Sequence, residues 1–82
     1  MQSNVWSVNI GKLRAGYLVD GKPETQEHLA KELTKLLGRS ISRVVVNQIE
    51  SGTRNLKADV IAALARHFNC TADYILGLTP AP

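Results

Sequence analysis

Cysteine is nearly absent from this chain: Cys70 stands alone among 82 residues. One thiol excludes an internal disulfide and any zinc site built on cysteines, and it fits a reducing compartment. No apolar run approaches the length of a membrane span. The opening "MQSNVWSVNIGKL" lacks the apolar stretch of a signal peptide, so the expected location is the cytoplasm, with no membrane partner. Internal repeats and low-complexity segments are also missing. Catalytic sets are equally scarce. The carboxylates show no pairing suited to acid–base work, and neither a Ser/His/Asp set nor a phosphate-cradling glycine loop is evident. His28 and His67 stand apart without ligand-like neighbours and are expected on helix surfaces. An enzyme is not expected, and neither is a cofactor, a metal or a small-molecule ligand.

What remains is an ordinary globular composition, 44% hydrophobic and 21% charged. A chain of this length has room for one small core and no large cleft. A single domain is therefore expected over residues 1–82, with its core over about 6–78 and a short tail at 79–82. The net charge of +3 is unevenly placed. Between Lys31 and Lys57, six basic side chains (Lys31, Lys35, Arg39, Arg43, Arg54 and Lys57) face two acidic ones, Glu32 and Glu50. The rest of the chain is slightly acidic. A basic middle within a near-neutral frame suits a polyanion held on one face.

Helical spacing dominates the pattern. Trp6, Ile10, Leu13 and Tyr17 form the stripe of an amphipathic helix, and "VDGKPE" then interrupts it with Gly21 and Pro23. Thr25 is placed to cap a second helix that carries Leu29, Leu33, Leu36 and Leu37 and stops at Gly38. Ile61, Leu64, Ala65 and Phe68 mark a later helix. Thr71 caps a last short one, "ADYIL", which ends at Gly77. No period-two alternation of strand length and no hairpin dipeptide pattern is read. The chain is expected to be all-α.

The segment "SRVVVNQIESG" (42–52) tests that expectation, because three valines in a row favour a strand. An isolated strand between two helices would leave backbone groups unpaired. A helix accounts for the segment better. At about 100° per residue, Val45, Val46 and Ile49 share an inward stripe, while Arg43, Val44, Asn47, Gln48 and Ser51 point outward.

A short helix, a glycine-containing turn and a second short helix with hydrogen-bonding side chains outward is a helix-turn-helix arrangement. The chain resembles the lambda-repressor-like domains of phage repressors and Cro proteins, the XRE type. The resemblance is carried by "IGKLR", "TQEHLA", "SRVVVNQIESGTRN" and "ADVIAALARHFNCTADYIL", in that order, across most of the chain. It implies a compact five-helix fold and double-stranded DNA, an operator, as the partner. Ser42 would cap the recognition helix. Arg43, Val44 and Gln48 match the family's base-contacting positions, with Asn47 beside them. Arginine pairs with guanine, glutamine with adenine, and an outward valine packs on a thymine methyl. Gln26 matches a glutamine that meets a phosphate and braces the recognition helix. Ser42, Ser51, Thr53, Arg54, Asn55, Lys57 and Arg39 are the further candidates for phosphate contact, which orients without reading sequence. Arg14 and Glu50 match a structural ion pair tying the first helix to the third, and Cys70 falls at a small core position, implying a buried, inert thiol.

Two stretches are longer than the family pattern: "AGYLVDGKPE" after Arg14, and the run from Leu29 to Ile41. The reading is thus a Cro- or repressor-like regulator acting by operator occupancy. A homodimer on half-sites about 34 Å apart is the default, joined through Tyr74, Leu76 and Leu78 or through the segment around Trp6. A monomer on single half-sites is the alternative. A restriction–modification controller or an antitoxin would share the DNA-binding face. A protein-interaction helical bundle is the alternative of a different class.

Overall fold

The computed structural model describes residues 5–80; of the tail expected at 79–82, residues 81 and 82 lie outside the described residues. The chain forms α1 (Val5–Gly16), β1 (Leu18–Val19), β2 (Lys22–Pro23), α2 (Gln26–Leu37), α3 (Arg43–Ser51), α4 (Ala58–Phe68) and α5 (Ala72–Leu76). Local signals set most boundaries. Thr25, Ser42 and Thr71 each have extended backbone and accept a hydrogen bond from the amide three residues on, at 3.0, 3.3 and 3.1 Å. Each thereby satisfies one of the amides that a helix start leaves unpaired. The far ends of α2, α3 and α5 are closed by Gly38, Gly52 and Gly77 in the left-handed conformation, and that of α4 by Asn69.

The all-helical expectation needs one correction. Leu18 pairs with Pro23 and Val19 with Lys22 in a two-stranded antiparallel hairpin. Its turn is Asp20–Gly21, with φ of 52° and 80°. Two positive φ values in a two-residue loop are the reason Asp-Gly favours hairpins, so the dipeptide was present in "VDGK" after all. Strands of two residues are too short to show alternation. The hairpin fills the first of the two lengthened stretches. It also ends α1 early, so Tyr17 lies beyond the helix whose stripe it was expected to complete.

Packing follows the helical stripes. The core comprises Ile10 from α1, Leu29, Ala30 and Leu33 from α2, Val46 and Ile49 from α3, Val60, Ala63 and Leu64 from α4, and Ile75 from α5. Trp6, Leu13, Val45 and Phe68 pack around it, partly buried. α2 lies against both α3 and α4, and α1 lies against α3 and α5. Cys70 also packs against the core but is only partly buried, short of the full burial expected. Loss of water raises its thiol above the ordinary range. No helix among the described residues is long and apolar enough to cross a membrane.

The two histidines are not independent surface residues, and this corrects a second expectation. The hairpin turns Glu24 inward until its side chain is 0% exposed, and one carboxylate oxygen, Oε2, lies 2.6 Å from His28 Nδ1 and 2.8 Å from His67 Nε2. His67 is itself only 6% exposed and stacks at 4.5 Å on Tyr17. A buried carboxylate without partners would be costly. The two rings supply them, and the cluster ties the hairpin and α2 to α4. Among the described residues, no group of three or more His, Cys, Asp or Glu side chains is arranged to hold a metal ion.

Candidate nucleic-acid interface

α3 separates its two faces cleanly. Val46 and Ile49 are buried, whereas Arg43, Val44, Asn47 and Ser51 are exposed and Gln48 is half-buried. Val44 is 55% exposed, so this valine contributes nothing to the core and costs the helix some propensity. The Arg43 side chain has no hydrogen-bonding or ionic partner among the described residues. The outer row therefore offers a guanidinium, an apolar branched side chain and two amides, side by side on one helix.

A relay of polar groups braces this row from below. Arg14 grips Glu50 in a two-point pair, Nε to Oε2 at 2.7 Å and Nη2 to Oε1 at 2.9 Å. Its remaining terminal nitrogen donates to the Glu24 carbonyl at 2.8 Å. The hydrogen bond to Glu50 holds the guanidinium pKa above its ordinary value, burial opposing it and the nearby charge of Glu50 adding to it. Gln26, the first residue of α2, donates to Glu50 Oε1 at 3.4 Å and accepts from Asn47 Nδ2 at 3.4 Å. These two contacts are long and correspondingly weak. Their direction is nonetheless imposed, because a carboxylate only accepts. α1, α2 and α3 thus meet in one chain of contacts that runs from Arg14 to Asn47.

The C-terminal end of α3 is equally organised. The Gln48 carbonyl accepts from Thr53 N at 3.0 Å, from Ser51 Oγ at 3.1 Å and from Thr53 Oγ1 at 3.3 Å. The hydroxyls of Ser51 and Thr53 are thus turned onto the helix end. Arg54 Nε donates to Gln48 Oε1 at 2.9 Å. Arg39, in the connection between α2 and α3, pairs with Asp59 at the start of α4 at 3.0 Å, both about half exposed. Lys57 occupies the cap position of α4 without a side-chain capping bond. Arg39, Arg54, Asn55 and Lys57 share the lining of one cleft of about 240 Å³ with the apolar Ile41 and Val45.

The structure therefore gathers the residues singled out from the sequence into two groups. Arg43, Val44, Asn47 and Gln48 stand along α3, with Gln26 beside Asn47. Arg39, Arg54, Asn55 and Lys57 cluster past the ends of α3, a basic flank of the kind that phosphates favour. Ser42 sits at the helix start, and Ser51 and Thr53 close its end. Lys35 is exposed and 3.9 Å from Glu32, within its own helix. Two partnerships were not read from the sequence: Asp59 with Arg39, and Arg54 with Gln48. Neither carries a local signal, since each joins side chains on different elements.

Comparison with protein families matches residues 25–75 to the helix-turn-helix family. The match begins at the cap of α2 and ends within α5. It leaves out α1, which supplies Arg14, and the hairpin. No curated protein and no solved structure gives a match.

Proposed function

Because the chain belongs to the helix-turn-helix family, whose XRE-type members are regulators that bind double-stranded DNA, we propose that it is a Cro- or repressor-like regulator acting by operator occupancy. The observation that carries this reading is the outer face of α3. Four side chains able to contact base edges, three exposed and Gln48 half-buried, stand in one outward row, while the same short helix buries Val46 and Ile49. Arg43 reads a base through its guanidinium, Val44 packs on a thymine methyl, and Asn47 and Gln48 supply amide contacts. The basic flank of Arg39, Arg54, Asn55 and Lys57, with the amide ends at Ser42 and Gln26, holds the phosphates on either side.

A homodimer on a palindromic site fits the distribution of exposed apolar side chains. Of the candidates for that contact, Trp6 packs on the core and Tyr74 and Leu76 are half-buried, whereas Leu78 is 73% exposed. Val5, 58% exposed, lies against Gly77 beside it. Sedimentation of the protein with and without a palindromic duplex measures the assembly.

The decisive experiment is selection of bound duplexes from a random pool, followed by titration of two variants. Gln48→Ala relaxes base preference at one position of the selected site. Lys57→Ala weakens all sequences alike and lowers the slope of log K against log salt by about one. An equal loss of specificity from both variants contradicts the division into base-reading and phosphate-holding residues.

A further inference from the structure

The bond between Arg54 and Gln48 has a consequence for which base Gln48 selects. Arginine carries only donors and does not lose its proton in proteins. The Gln48 atom 2.9 Å from Arg54 Nε must therefore be the side-chain oxygen, however the amide is assigned. The main chain of Gln48 is held as well, because its carbonyl accepts from Ser51 and Thr53. Gln48 is thus constrained at its backbone and at its amide oxygen. An unconstrained glutamine offers donor and acceptor side by side and so matches the N6 and N7 edge of adenine in two bonds. Arg54 takes one of the two lone pairs of that oxygen and fixes the way it faces, so among the described residues the amino group is the part of the amide without a partner of its own.

We propose that Arg54 is a positioning residue that fixes the Gln48 amide, so that Gln48 acts chiefly as a donor and selects guanine, whose major-groove edge presents two acceptors, N7 and O6, or thymine, which presents O4, over adenine, whose single acceptor N7 stands beside the N6 donor. This rests on the reading of α3 as the base-contacting helix. It revises the pairing with adenine that glutamine alone suggests. Among the described residues, only the Nε–H of Arg54 is engaged. Its two terminal nitrogens stay available for a phosphate, so one exposed side chain joins the holding of the backbone to the choice of a base. Lys57 has no such link among the described residues, and for it the two roles stay separate.

The test uses the full chain and the duplex selected from a random pool. The position read by Gln48 is identified as the one that Gln48→Ala relaxes, and affinities are then measured by fluorescence anisotropy with all four bases placed there. The wild-type protein is expected to prefer guanine or thymine over adenine by about fivefold or more. Arg54→Ala is expected to bring adenine to within about twofold of the preferred base at that position alone, besides lowering affinity overall. A wild-type preference for adenine or cytosine overturns the inference while leaving Gln48 a base reader. So does an Arg54→Ala variant that loses affinity equally for all four bases. If Gln48→Ala relaxes no position, Gln48 does not read a base, and the reading of the outer face fails first. Arg54 is exposed, and circular dichroism melts verify that its variant folds. Should it not fold, the wild-type base preference still decides.

Discussion

Replacing Arg14 by methionine tests the brace beneath α3. The substitution keeps most of the side-chain length and removes three hydrogen bonds, two to the Glu50 carboxylate and one to the Glu24 carbonyl. Glu50, 10% exposed, is then left with the long contact to Gln26. Leaving one member of a buried pair without its partner costs about 3–5 kcal/mol. The upper part of that range applies here, because little water reaches the carboxylate and the Glu24 carbonyl loses its Arg14 donor as well. Glu50→Met strands the other partner under milder conditions, since Arg14 is 22% exposed and keeps its bond to Glu24. Its expected cost is about 2–3 kcal/mol. In a domain this small, about 4 kcal/mol lowers Tm by about 15–30 °C, which thermal denaturation followed by circular dichroism resolves easily. The double variant Arg14→Met/Glu50→Met removes both charges and is expected to be more stable than Arg14→Met alone. A loss below about 1 kcal/mol for Arg14→Met would refute the reasoning, as would a double variant that shows the plain sum of the two single losses.

Two further perturbations follow from the packing. An alanine at Gly77 would place its Cβ 2.5 Å from Val5 Cγ1 in a backbone with φ of +80°, whereas an alanine at Gly38, with φ of +69°, meets nothing within 4 Å. Gly38→Ala is therefore expected to cost about 1 kcal/mol for the backbone alone and Gly77→Ala about 2–3 kcal/mol, with Val5→Ala recovering only the excess; equal urea midpoints for the two glycine variants would contradict this. Glu24→Leu removes the carboxylate whose Oε2 is shared by His28 and His67, leaving both rings without that partner at a cost of about 1–3 kcal/mol. Unchanged stability together with unchanged imidazole resonances would show that the cluster does not tie the hairpin and α2 to α4.

Much of the fold was legible because helices announce themselves locally. Thr25, Ser42 and Thr71 mark starts, Gly38, Gly52 and Gly77 mark stops, and each signal acts within one turn. The valine run was readable for the same reason, since the helical period assigns Val46 and Ile49 to one face and Val44 to the other. The hairpin escaped because its strands are too short to alternate, although Asp20–Gly21 carried its turn chemistry. The histidines were misplaced because their environment depends on Glu24, which is turned into the interior by a hairpin that had not been recognised.

The order of helices, the ends of three of them and the identity of the outward row on α3 were determined by the chain's own short-range pattern. A cap and a 3.6-residue period involve neighbours only. Beyond the Arg14–Glu50 pair, which the family resemblance implied and which joins residues 36 apart, the tertiary structure decided what stands beside that row: Glu24 shared between α2 and α4, and Arg54 turned onto the amide of Gln48. Those contacts depend on the relative placement of separate elements and on which polar groups need partners once buried, and no local pattern encodes either.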